Sequence, residues 1–96
     1  MAMYKIVFTS GAAKQLEKLG GSEQKLIVRK IKKLDIGQPN NNIKKLIGIA
    51  DLYRLRIGNY RVIYQVRHKE LVILVLKIGH RNDVYRGISK LGLPNI

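Results

Sequence analysis

The stretch YRLRIGNYRVIYQV, residues 53–66, decides the fold. Tyr53, Leu55 and Ile57 alternate with Arg54 and Arg56, the period-two pattern of a strand with one apolar face. Gly58-Asn59 then interrupts the pattern, with Gly at the first central position that a type II′ hairpin turn requires. Residues 60–66 run back as the second strand. The short turn fixes the register: Ile57 and Tyr60 flank it, so Arg56 lies opposite Arg61, and Arg54 shares their face.

Working outward, residues 67–70 make a polar turn into residues 71–78. Their continuous leucine and β-branched content predicts a strand buried on both faces, closed by Gly79. Asn82 is placed to cap a short C-terminal helix carrying Val84, Tyr85 and Ile88. Upstream, residues 4–8 read as a short first strand. Ser10 is an N-cap candidate for a helix to about Leu19, with Ala12, Leu16 and Leu19 on one side. Gly20-Gly21 stops that helix and Ser22 starts a second. In the second, Ile27, Ile31 and Leu34 fall at i, i+4, i+7, while Lys25, Arg29, Lys30, Lys32 and Lys33 cover the remainder. Gly37 and Pro39 end it, and Asn40-Asn41-Asn42 continues as loop.

The order is strand, helix, helix, three strands, short helix. It predicts an α+β fold: a mainly antiparallel, mixed sheet of about four strands with an N-terminal helical hairpin on one face and a short C-terminal helix. The 96 residues suffice for one domain, residues 1–96, and are too few for two independent cores. The other face of the sheet is left for a ligand.

The charge says what kind of ligand. Nineteen Lys and Arg against six Asp and Glu give a formal net charge of +13 at pH 7, which opposes compaction unless a polyanion or an acidic partner makes use of it. The two cation types are segregated: nine of twelve lysines lie in residues 1–48, and six of seven arginines in residues 49–96. Lysine is a flexible point charge, whereas arginine presents a planar fork suited to phosphate. Lys32 and Lys33 are therefore read as part of a general electrostatic surface, either simply solvated or in contact with a polyanion such as RNA, and Arg54 and Arg56 as part of a phosphate-binding site. Like charges directly opposite each other destabilise a strand pair, so Arg56 against Arg61 calls for an anion, unless the side chains simply splay into solvent.

The segment GHRNDVY, residues 79–85, adds His80, Arg81 and Tyr85 at the end of the buried strand. With the three hairpin arginines these supply the parts of a phosphoryl-transfer site that needs no metal. Two histidines, no cysteine and three scattered acidic residues in the second half (Asp51, Glu70, Asp83) give no zinc or two-metal pattern, and no cofactor motif occurs. The absence of cysteine, and an apolar run no longer than residues 71–76, lead to the expectation of a cytoplasmic protein without membrane attachment.

Together YRLR, NYRVIYQV and GHRNDVY, with the opening YKIVFTSGAAKQLEKL (residues 4–19), resemble the RelE/ParE superfamily of toxins, on the RelE side. The resemblance implies an antiparallel sheet with two helices on one side. It also implies a ribosome-dependent ribonuclease that cuts messenger RNA in the A site by metal-free attack of the ribose 2′-OH, and a RelB-like, locally acidic antitoxin as partner. It places Arg54, Arg56, Arg61, Arg81 and Tyr85 on the catalytic face. On that reading Arg61 and Arg81 stabilise the phosphorane charge, and Arg54 and Arg56 grip flanking phosphates. Tyr85 handles the 2′-OH, with His80 a secondary acid/base.

Well-studied members carry lysines where this chain has Arg54 and Arg56. Arginine does not release its proton, so a general-base role there passes to His80 or Tyr85. Two other expectations stand beside this one: a ParE-like inhibitor of DNA gyrase, and a non-catalytic RNA-binding module.

Overall fold

The computed structural model describes residues 4–34 and 40–81. Its elements are β1 (Lys5–Phe8), α1 (Ser10–Glu17), α2 (Gly21–Lys32), β2 (Ile43–Lys45), β3 (Leu52–Ile57), β4 (Tyr60–Arg67) and β5 (Val72–His80). The five strands form one mixed sheet in the order β1-β5-β4-β3-β2, parallel between β1 and β5 and antiparallel elsewhere. The α+β class holds, with one strand more than expected. β2 is three residues long and continues from the asparagine run, so a period-two test has almost nothing to act on. The short C-terminal helix falls outside the described residues.

Both helices cover one face. Ala12 of α1 and Ile27 and Ile31 of α2 are fully buried against Leu55, Ile57, Val62, Tyr64, Val66, Ile73, Val75 and Ile78 of the sheet. Leu16, Leu19 and Leu34 pack at the margin, as their helical spacing predicts. Burying each of the large aliphatic side chains contributes roughly 1.5–3 kcal/mol, which makes this layer the principal source of stability.

The helix starts differ from expectation by a residue. Thr9, not Ser10, caps α1: its hydroxyl accepts from the Ala12 N–H at 3.1 Å and reaches the Leu76 carbonyl at 3.4 Å. Thr9 has extended backbone and sits on the end of β1, so one residue both closes the strand and opens the helix. Gly20 is the cap of α2, and Gly21 its first residue. The glycine pair thus begins the second helix rather than only ending the first.

β5 also departs from expectation. It starts at Val72, because Leu71 adopts a φ of 55°, and it runs through Gly79 to His80. A register shift lies between Ile63 and Tyr64: Ile63 pairs with Lys77 but Tyr64 pairs with Val75, leaving Leu76 as an extra residue. The core members Ile73, Val75 and Ile78 show the same slip, spaced by two and then by three. Such a bulge sets Leu76 and Lys77 on the same side of the sheet, away from the helices. There Leu76 joins Leu52 and Ile63 in a second small apolar cluster, bordered by Leu46, Ile49 and Leu74.

Candidate functional site

The hairpin at residues 58–59 is built as its composition requires. Gly58 has a φ of 57°, and Asn59 is not in the left-handed region, the combination of a type II′ turn. Arg56 therefore pairs with Arg61, Arg54 with Ile63, and Ile57 with Tyr60. Next along β5, Gly79 pairs with Arg61 and Lys77 with Ile63. On the other side, Lys44 pairs with Arg54, and the Arg56 N–H donates to the Asn42 carbonyl at 2.8 Å.

These pairings make two cross-strand rows on the face opposite the helices. One row reads Asn42, Arg56, Arg61, Gly79; the other reads Lys44, Arg54, Ile63, Lys77. Two residues along a strand separate them, roughly 7 Å. The two rows thus hold five cations, two of which, Lys44 and Lys77, sequence reasoning missed. Lys44 lies on the unrecognised strand, and Lys77 reaches this face through the bulge. Gly79 adds no side chain opposite Arg61, which leaves the backbone approachable at that end of the row.

Arg56 and Arg61 each donate to neutral acceptors. Arg56 donates from Nε and Nη2 to the Asn42 side-chain oxygen, at 3.3 and 3.1 Å. Arg61 donates from Nη1 to the Gly58 and Tyr60 carbonyls, at 2.8 and 2.9 Å. The Arg54 Nε is buried with no hydrogen-bond acceptor. Asn42, which sequence reasoning assigned to loop, thus joins the arginine rows. Nothing in an Asn-Asn-Asn run shows which amide faces an arginine on a neighbouring strand.

Arg81 is exposed and stands just past β5, where its N–H donates to the Asn59 carbonyl at 3.0 Å. That bond extends the ladder by one step, and the strand alternation assigns Arg81 to the side of Gly79 and Arg61. His80 is placed otherwise. Its register partner is Tyr60, in line with Ile57 on the helix-bearing face, and its ring lies on that of Tyr60 with centroids 4.9 Å apart. The expectation that His80 works among the arginines is therefore revised, since neighbouring residues of a strand project to opposite faces. Lys32 and Lys33 are exposed at the end of α2, across the sheet from the arginine rows, and the fold does not bring them together with those rows. Tyr85 lies outside the described residues.

Comparison with known proteins identifies the family. The sequence matches the family described as the ParE toxin of the type II toxin–antitoxin system parDE, over residues 6–85. The chain belongs to the RelE/ParE superfamily of toxins. Within that superfamily it is similar to the mRNA interferase toxin RelE of Escherichia coli (strain K12), 31% identical over 86 residues, covering 85% of this chain and 90% of the relative. The crystal structure of the isolated E. coli RelE toxin superposes with a TM-score of 0.68 at 29% identity, over 91% of this chain and 96% of that one. An archaeal RelE from Pyrococcus horikoshii OT3, solved in complex with RelB, superposes with a TM-score of 0.68 at 32% identity, over 86% and 99% of the two chains. The arginine rows of this RelE/ParE toxin lie on the sheet face opposite α1 and α2 of a shared fold.

Proposed function

We propose that this chain is the RNA-cutting toxin of a toxin–antitoxin pair, and that it cleaves messenger RNA in the ribosomal A site and so inhibits translation. The observation that carries the reading is the direct pairing of Arg56 with Arg61, with Arg54, Lys44 and Lys77 in the adjoining row. Five cations in two adjoining rows suit a phosphodiester backbone better than any neutral ligand. The RelE names of the relatives support the same reading.

In the proposed reaction the ribose 2′-oxygen attacks the adjacent phosphorus as its proton is taken up. The bond from phosphorus to the 5′-oxygen breaks, and the leaving oxygen gains a proton. The products are a 2′,3′-cyclic phosphate and a 5′-OH. Arg61 and Arg81 stabilise the added charge on the phosphorane oxygens, while Arg54 and Arg56 hold flanking phosphates. With His80 turned to the other face, the proton at the 2′-oxygen is assigned to Tyr85. No metal is required on this scheme. Among the described residues no three His, Cys, Asp or Glu side chains cluster, and the charge stabilisation falls to arginine. A phosphorothioate at the scissile position should accordingly show no rescue by thiophilic cations. A RelB-like antitoxin with a locally acidic segment would neutralise the toxin by covering the same face.

The test is to map RNA ends in a programmed translation reaction with the wild type and Arg81→Ala, then on naked RNA. New 5′-OH ends are expected with the wild type on ribosomes, and their absence there overturns the reading. Because the matching family description is that of ParE, a gyrase supercoiling assay runs alongside. Inhibition of gyrase without RNA cleavage would establish the ParE-like alternative.

A further inference from the structure

We infer that Asn42 is a positioning residue, which holds Arg56 in reach of an RNA phosphate without neutralising it. The inference rests on the reading of the arginine face as the RNA site.

Asn42 engages Arg56 twice. Its carbonyl accepts the Arg56 backbone N–H at 2.8 Å, which sets the two residues side by side across the edge of the sheet. Its side-chain oxygen then accepts from both Nε and Nη2. One oxygen shared by those two nitrogens occupies a single edge of the guanidinium plane. The edge formed by Nη1 and the second Nη2 hydrogen is left for two parallel bonds to a phosphate.

Asn42 is itself fixed. Its N–H donates to the Asn40 side-chain oxygen at 2.8 Å, and the Asn40 carbonyl accepts from the Ile43 N–H at 3.0 Å. The asparagine run is therefore a turn that delivers one amide to one arginine. Arg56 is exposed and lies opposite a like charge, so without this anchor its long side chain would sample many rotamers away from Arg61. A carboxylate at residue 42 would satisfy the same geometry and cancel the charge. The neutral amide orients the fork and leaves its charge for the ligand.

Cleavage on programmed ribosomes under single-turnover conditions tests this, read as a half-saturating toxin concentration and a maximal rate. Asn42→Ala is expected to raise the half-saturating concentration about 3- to 10-fold and to change the maximal rate less than twofold, the effect of losing a positioned binding group rather than a reacting one. Asn42→Asp keeps the acceptor and the fold, yet should bind RNA more weakly, with a salt slope lower by about 0.7, one phosphate contact on a single strand. Asn42→Ala combined with Arg56→Ala should match Arg56→Ala alone. An unreduced penalty of Asn42→Ala on the Arg56→Ala background would overturn the proposal, as would wild-type binding and salt slope in Asn42→Asp. If Arg56→Ala is fully active while Arg61→Ala is inactive, the role of Asn42 falls and the RNA site stands. If both arginine variants are fully active, the RNA site falls with it.

Discussion

Arg56 and Arg61 face each other directly across the β3–β4 hairpin, and each guanidinium is drawn away from the other by carbonyl oxygens. Arg56 leans toward β2 and the Asn42 amide, and Arg61 bends to the Gly58 and Tyr60 carbonyls of its own turn. Among the described residues no carboxylate lies within ion-pairing distance of Arg56. The repulsion between two like charges on opposing strands is thus eased by geometry. On the proposed reading Arg61 meets the scissile phosphate and Arg56 a flanking one, and the two forks are already separated and oriented before RNA arrives.

If Arg61 and Arg81 stabilise the phosphorane charge as proposed, loss of either should fall on the reaction rate and spare the fold. Arg61→Ala and Arg81→Ala are each expected to lower the maximal cleavage rate on the order of 10²–10³-fold and to abolish growth inhibition. Neither residue is part of the buried core, so circular dichroism and the melting temperature should stay close to wild type. Full toxicity in either variant would remove that arginine from the mechanism.

The parts of this site legible in the sequence are those set by a local rule. Gly58-Asn59 determines its own turn, the turn determines the pairing of Arg56 with Arg61, and the period of two puts Arg54 beside them. The helix layer was legible for the same reason, since Ala12, Ile27 and Ile31 follow the helical period. The remainder depends on contacts between distant segments. Lys44 shares the face only because residues 43–45 pair with β3, and Lys77 only because a bulge forms against Tyr64. His80 was misplaced because proximity in sequence to Arg81 does not survive the alternation of a strand that continues through Gly79.

Alkaline conditions should expose the cost of burying Tyr64. This phenol is buried in the helix-facing core, stacked on Tyr53 with ring centroids 5.6 Å apart. Burial, and to a lesser degree the neighbouring Tyr53, pushes its pKa from 10.0 up to about 12. The folded state therefore holds the proton more tightly than the unfolded chain does. The stability this confers is present in full below pH 10 and is lost as pH rises toward 12. By linkage the loss is on the order of 2–3 kcal/mol. Denaturant unfolding between pH 9 and 12 should show it in the wild type and a smaller loss in Tyr64→Phe. Equal losses in both proteins would assign the alkaline sensitivity to other groups.

The hairpin turn can be tested without touching an arginine. A methyl group added at Gly58 would meet no atom within 4 Å, so Gly58→Ala introduces no clash, only the strain of a φ of 57°. That strain should cost about 1–2 kcal/mol of stability. Gly58→Asn should cost less, because asparagine tolerates a positive φ better than alanine does. Melting temperatures should fall in the order wild type, Gly58→Asn, Gly58→Ala. A Gly58→Ala protein as stable as wild type would mean that the turn relaxes to another type, with the arginine register free to move.

Lys32 and Lys33 allow docking to be separated from chemistry. They are exposed on the helical layer, and the sheet lies between them and the arginine rows. An RNA segment that touches them is therefore not the segment being cut. Replacing both with Gln should weaken ribosome binding and lower the slope of log affinity against log salt by about 1.4 for a single strand or about 1.8 for a duplex. The maximal cleavage rate at saturating toxin should not change. Arg61→Ala should give the opposite result, a collapsed rate with a smaller change in affinity. If the lysine pair leaves both affinity and salt slope at wild-type values, that surface is simply solvated, and the arginine face alone accounts for the attraction to RNA.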